Sequence, residues 1–147
     1  MIDAGGKAED TLVQMVQTTP DAVVVVDAEG VIRYWNAGAE RLFGFSVDAA
    51  VGHSLDLIIP EPFRKRHWEA FHAAVSTGSG KHGPDELLSV PAIRADGLKL
   101  SVEFTVALLG HENNINAVGA IIRDVTERRA RESELRNRLR DLDGSAQ

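Results

Sequence analysis

The feature that most restricts the fold is a pair of β-branched runs near the start of the chain. Residues 22–26 read AVVVV, residues 31–35 read VIRYW, and the four residues DAEG separate them. β-branched residues favour strands, and Gly30 can adopt the positive φ that a tight turn requires. The sequence therefore predicts a β-hairpin as the first part of a sheet.

Three helices are predicted after the hairpin. Asn36 and Ser46 are suitable N-caps for two short helices, AGAERLF and VDAAVG, which end at Gly44 and Gly52. A longer helix of about four turns begins at PEP and ends at Gly78. The loop GSGKHGPDE comes next, and three further strands are predicted from LLSVPAIRA, LKLSVEFTVALLG and NAVGAIIRDV.

The element order is thus β-β-α-α-α-β-β-β, flanked by a helix at each end of the chain. This order predicts an α+β fold in which helices cover one face of a five-stranded antiparallel sheet. In the strand LKLSVEFTVALLG, apolar Val102, Phe104 and Val106 alternate with Glu103 and Thr105. One face of this strand is therefore expected in the core and the other in water.

The length suits one domain. A chain of 147 residues with 44% hydrophobic content can form one core and is too short for two ordinary domains. We expect a cap helix over 1–19, a core over 20–126, and a signalling or coiled-coil linker helix over 127–147.

Composition and charge exclude several functions. A net charge of −6 disfavours nucleic-acid binding. No run is apolar enough for a membrane span or signal peptide, so we expect a cytoplasmic protein without membrane contact. The absence of cysteine excludes disulfides, thiolate catalysis and a thioether-linked chromophore. No nucleophile with an adjacent base is recognisable, and we expect no enzymatic activity.

The long helix places a histidine on an apolar face. At about 100° per residue, His67 shares one face with four apolar residues, namely Phe63, Ala70, Phe71 and Ala74. His67 is therefore expected to point inward. The pattern leaves open whether it is a core histidine that donates to a backbone carbonyl or a ligand to a bound group.

The segment WNAGAERLFGF, the residues RADG and the terminal RDVTER together resemble the PAS domain family over roughly residues 10–130. The resemblance implies a sensory or dimerisation module that is usually one part of a larger histidine kinase, cyclase or chemoreceptor. It also implies that an Asp-x-Thr motif, here Asp124 and Thr126, links the last strand to a signalling helix.

Within that family, the segment IIPEPFRKRHWEAF is similar to the corresponding segment of haem-binding FixL-type oxygen sensors. The match makes His67 the proximal ligand of a haem iron, and neutral imidazole is a suitable axial donor. The haem is expected to be b-type and non-covalent, with Phe63, Phe71 and Ala74 beside the ring.

The distal side departs from those sensors. They carry an arginine twenty residues after the histidine, whereas this chain has Leu87 there and Leu88 beside it. A distal wall built from Leu87 or Leu88 with Phe104, Val106 and Ile122 offers no cationic donor to bound dioxygen. Such a wall favours carbon monoxide or nitric oxide as the gas ligand over firmly bound oxygen.

Two alternatives use the same apolar pocket. One is a haem-free PAS module for dimerisation and signal relay. The other is a flavin-binding redox PAS domain that holds FAD near Trp35 and Asn36, although Trp35 and Trp68 are more often packing residues.

A homodimer is expected whether the pocket holds haem, flavin or no cofactor. Apolar residues recur in both terminal helices, and burial between two copies would remove their exposure. These residues are Leu12, Met15 and Val16 near the N-terminus and Leu135, Leu139 and Leu142 near the C-terminus.

Overall fold

A computed structural model describes residues 6–78, 86–111 and 114–145. The strands are β1 (Ala22–Asp27), β2 (Ile32–Trp35), β3 (Leu88–Ile93), β4 (Lys99–His111) and β5 (Asn114–Asp124). The α-helices are α1 (Gly6–Thr18), α2 (Ala37–Phe43), α3 (Val47–Ala50), α4 (Glu61–Thr77) and α5 (Thr126–Ser145), and a 3-10 turn spans Leu55–Ile58. The predicted loop after Gly78 lies mostly outside the described residues.

The strands form one sheet in the order β2-β1-β5-β4-β3 with antiparallel neighbours. The predicted α+β fold with a five-stranded antiparallel sheet is therefore confirmed. β4 and β5 reach further than expected, since His111 and Asn114 pair with each other at their ends. Those two residues belonged to the predicted loop HENN, so strand pairing extends further than the prediction.

The first hairpin is confirmed, and Asp27 holds its turn. The Asp27 carboxylate accepts hydrogen bonds from the backbone N–H groups of Glu29 and Val31, each at 3.0 Å, and from Arg33 Nε at 2.8 Å. Gly30 has the expected positive φ of 83°. Burial tends to raise the pKa of Asp27, but the hydrogen bonds from Val31, Arg33 and Glu29 outweigh it and lower that pKa.

Both predicted N-caps are confirmed. The side chains of Asn36 and Ser46 accept hydrogen bonds from Ala39 N and Ala49 N, at 2.8 and 3.2 Å. Gly44 ends α2 in the left-handed conformation. The predicted end of α3 at Gly52 is wrong, because Val51 is already extended and α3 stops at Ala50.

The core lies between the helices and one face of the sheet. Alternate residues of each strand point to this face, and Trp35 and Phe43 are fully buried beneath it with ring centroids 5.5 Å apart. The buried sheet residues include Ala22, Val24, Val26, Ala92, Leu100, Val102 and Ile122. The core therefore uses the alternation seen in the sequence.

The two terminal helices lie outside this core. No residue of α1 is buried, and Leu12 and Met15 are 62% and 69% exposed. Leu135, Leu139 and Leu142 of α5 are also exposed. Within the described residues, no helix is both long and apolar enough to cross a membrane.

Candidate cofactor pocket and output junction

The α4 helix packs on the core with a different face from the one expected. Trp68, Phe71 and Val75 are the α4 side chains that pack against the core cluster. Phe63 is 41% exposed and Ala70 is also exposed, so the prediction that these two residues face inward is wrong. The helix is rotated toward its Trp68 side.

Two side chains explain this rotation. Trp68 Nε1 donates to Asp56 Oδ1 at 2.7 Å, and its ring lies so close to Gly30 that a Cβ there would overlap it. Arg64 Nε donates to the carbonyl of Ile59 at 3.0 Å. The indole of Trp68 can bury more apolar area than the phenyl ring of Phe63, and Asp56 accepts a hydrogen bond from its N–H. Helical periodicity could not reveal this, because the partners lie in other segments.

His67 stays at the edge of the buried face and is half-buried. Its ring centroid is 4.5 Å from that of Trp68, edge to face, and 6.0 Å from that of Phe71, roughly parallel. Nδ1 of His67 is buried and has no hydrogen-bond partner among the described residues. The expected backbone carbonyl partner of a core histidine is therefore not found for this nitrogen.

Electrostatics keep the His67 imidazole neutral. Burial lowers the pKa of His67 most strongly, the carboxylate of Asp56 raises it, and neighbouring His72 lowers it, so that the net shift is downward. A neutral imidazole keeps a nitrogen lone pair available for a metal or a proton donor.

The sheet brings most of the predicted distal residues together. Phe104 lies opposite Ile122 in the β4–β5 register and opposite Leu88 in the β3–β4 register, so that all three share the core face. Val106 lies on the same face opposite Ala120.

Leu87 does not join this set. It precedes β3 and is 58% exposed, whereas Leu88 lies on the core face, so Leu88 is the better of the two predicted candidates for the wall. The reason is strand alternation, which turns only one of two adjacent residues toward the core. On α4, Phe71 is buried and Ala74 is half-buried, as expected.

Two clefts lie away from α4. A cleft of about 370 Å³ is bordered by residues of α2 and the end of β5, and one of about 240 Å³ lies on the outer face of the sheet. Neither borders α4. The described residues contain no cluster of three histidine or carboxylate side chains that could hold a metal ion.

The two residues suggested for a flavin have structural roles. Trp35 Nε1 donates to the carbonyl of Phe45 at 2.9 Å. The side chain of buried Asn36 accepts from Val23 N and Ala39 N and donates to the carbonyls of Val16 and Asp21. Their polar side-chain atoms are therefore already paired.

The strand-to-helix junction has the geometry expected of the Asp-x-Thr motif. The Asp124 carboxylate accepts from Thr126 N at 2.9 Å and from Thr126 Oγ1 at 2.6 Å. Thr126 Oγ1 in turn accepts from Ser101 N at 2.9 Å, and Val125 N donates to Ser101 O at 2.8 Å. The start of α5 is thus tied to β4, although its role in signalling stays a prediction.

The class of the domain is defined by a sheet that encloses a small core with its helices and by a last strand that passes through a hydrogen-bonded junction into an exposed helix. The PAS fold family matches residues 16–130. The chain belongs to the PAS family, whose domains are sensory, non-catalytic modules.

Similar proteins agree with this assignment. Sensor protein FixL of Bradyrhizobium diazoefficiens is 29% identical over 134 residues, which cover 91% of this chain and 26% of FixL. The PAS domain of a Colwellia psychrerythraea protein has a TM-score of 0.69 at 24% identity and covers 82% of this chain and 98% of that one. An RNA-binding light-oxygen-voltage receptor has a TM-score of 0.72 at 19% identity, over 93% of this chain and 39% of that one. This chain spans about a quarter or less of the curated relatives that it matches.

Proposed function

We propose that this PAS domain is a haem-based gas sensor with His67 as the proximal ligand of haem b. The observation that carries the proposal is the buried, unpartnered Nδ1 of a neutral imidazole. A buried polar nitrogen without a partner costs about 1–3 kcal/mol, so a bound group that pairs with Nδ1 of His67 would be favoured. The similarity of the IIPEPFRKRH segment to haem-binding sensors supports the same role.

His67 and the wall that faces it fit a haem, and we expect the space between them to open on binding. His67 supplies an imidazole beside Phe71, and Leu88, Phe104 and Ile122 supply an apolar wall on the facing sheet. Both clefts lie away from α4. We expect α4 to move away from the sheet when a flat macrocycle enters, which is consistent with the partial exposure of His67 and Phe63.

When bound, the haem iron supplies a site for a diatomic gas, namely oxygen, carbon monoxide or nitric oxide. The protein contributes the imidazole on one side and aliphatic and aromatic side chains on the other. Because Leu88, Phe104, Val106 and Ile122 offer no hydrogen-bond donor, we expect carbon monoxide or nitric oxide to be retained better than oxygen.

An absorption spectrum of the purified chain after haem supplementation tests the proposal. We expect a Soret band that His67→Ala abolishes. His72→Ala is the matched control, because His72 is exposed on the same helix, and it should retain the band.

Other outcomes are equally informative. A Soret band that persists in His67→Ala, or no band in a protein with normal melting temperature, would contradict the proposal. Absorbance near 450 nm without added haem would instead indicate flavin.

A second candidate function is a haem-free pairing and relay module. It is supported by α1, which has no buried residue although an isolated helix of this length is only marginally stable in water. Leu12 and Met15 on α1, with Leu135 and Leu139 on α5, would be buried against the same helices of a second copy. The pairing is compatible with haem binding, since it uses different surfaces.

A further inference from the structure

The outer face of the sheet carries a row of polar residues across three strands. In register, Ser89 of β3 lies opposite Glu103 of β4, and Glu103 lies opposite Arg123 of β5. Arg123 continues the row to Asp21, with Nε and Oδ1 3.2 Å apart. We call Ser89, Glu103, Arg123 and Asp21 the outer row.

Each residue of the outer row is the neighbour in sequence of a residue that faces the core. The inner row consists of Leu88, Phe104, Ile122 and Ala22, which are paired in the same registers and lie toward the core. Adjacent α-carbons are 3.8 Å apart along a rigid peptide. A displacement of an inner residue therefore also displaces its outer neighbour.

The first turn of α5 binds the outer row directly. The guanidinium of Arg128 contacts the Glu103 carboxylate, and Arg129 donates to Ser89 Oγ. The Glu103 side chain is only 14% exposed, so this ion pair is partly shielded from water. Asp124, Thr126 and Ser101 hold the start of α5, and the contacts of Arg128 and Arg129, two and three residues after Thr126, add a second point of attachment.

We propose that the outer row senses the position of the pocket wall and sets the direction in which α5 leaves the sheet, with Glu103 and Ser89 as positioning residues. Two attachment points define a helix axis, whereas one leaves its direction free. The inference rests on the proposed role of α5 as the output helix, but it does not require haem.

Spin labels can measure the direction of α5, because the chain has no cysteine of its own. Ser133→Cys on α5 and Asn116→Cys on β5 give two labelling sites, and dilution with unlabelled chain restricts the distances to pairs within one chain. Glu103→Gln should widen the distance distribution and speed amide exchange in the first turn of α5 roughly 1.5- to 5-fold. Glu29→Gln, the same change in the β1–β2 turn, should alter neither.

A charge exchange tests the contact itself. Glu103→Arg and Arg128→Glu should each widen the distribution, and their combination should narrow it again. If the distance distribution of the double variant is no narrower than those of the single variants, the proposed contact is wrong. If Glu103→Arg does not fold, the near-isosteric Glu103→Gln still decides, and an unchanged distribution in that folded variant overturns the proposal.

Transmission is tested from the inner row. Phe104→Leu should shift the distance distribution in the otherwise unchanged chain, and the shift should be largely lost in the Glu103→Gln background. Equal shifts in both backgrounds would overturn the proposal. Because these measurements use the haem-free chain, failure of the haem proposal would leave them unaffected.

Discussion

Asn36 illustrates how one residue can serve several elements. Its side chain caps α2, as the sequence predicts, and it also binds Val23 N of β1. The same amide donates to the carbonyl of Val16 at 2.8 Å, close to the end of α1. All four hydrogen bonds of the side chain are made in a fully buried site, where each is expensive to lose. The otherwise exposed α1 is therefore attached to the core by its C-terminal end.

The lowered pKa of His67 predicts a pH dependence of stability for the haem-free protein. An unfolded imidazole has a pKa of about 6.5, and the folded one titrates lower. Between these values the unfolded chain binds more protons, so the free energy of unfolding falls as pH decreases, by up to about 1.4 kcal/mol per pH unit.

Urea denaturation at a series of pH values between 7.5 and 5 measures this slope. His67→Leu should remove most of this slope, whereas His72→Leu, which removes only the smallest of the three influences on the His67 pKa, should reduce it much less. Equal slopes in the parent chain and His67→Leu would show that burial does not depress this pKa.

At the scale of elements, the connections of both terminal helices meet at one end of the sheet. Asp21 lies just before β1 and Arg123 near the end of β5, and their side chains are paired across the two strands. Ala22 and Ile122 are register partners beside them. Few residues therefore separate the end of α1 from the start of α5.

The β5–α5 junction predicts the effect of Asp124→Ala. The substitution removes two hydrogen bonds to Thr126, worth together about 1–2 kcal/mol for the first turn of α5, and leaves the pocket side chains in place. Amide exchange in the first turn should accelerate while haem affinity stays nearly unchanged, and signalling by a parent protein should be uncoupled.

Asp141→Ala is the matched control, because it is an exposed aspartate further along the same helix. Full signalling by an Asp124→Ala parent protein, with normal ligand binding, would rule out this route.

At the scale of the whole molecule, the exposed apolar residues of α1 predict association. Burial of each large aliphatic side chain contributes about 1.5–3 kcal/mol. Replacement of both Leu12 and Met15 by Glu should therefore raise the dimer dissociation constant at least about tenfold, as measured by sedimentation.

The pair Gln14→Glu and Gln17→Glu adds the same charge to exposed polar positions of α1 and should have a much smaller effect. A parent chain that stays monomeric at every concentration with α1 folded would count against the dimer, as would equal effects of the two pairs.

The sequence by itself determined the features that depend on near neighbours. The hairpin turn at Gly30, the caps Asn36 and Ser46 and the alternation of β4 could all be predicted, because each involves contacts within a few residues or a strict period. The strand pairing that makes one sheet of five strands followed from element order and from the family resemblance.

Only the tertiary structure decided which face of α4 is buried and how α5 is held. The position of Trp68 depends on Gly30 and Asp56, and the first turn of α5 contacts Ser89 and Glu103, which lie far away in the chain. Helical periodicity treats all apolar residues of a helix as equally suited to burial. In the folded protein, the buried side chains are those whose shape fits the core and whose polar atoms find hydrogen-bond partners. Phe63 was therefore misjudged, and the outer row was not foreseen.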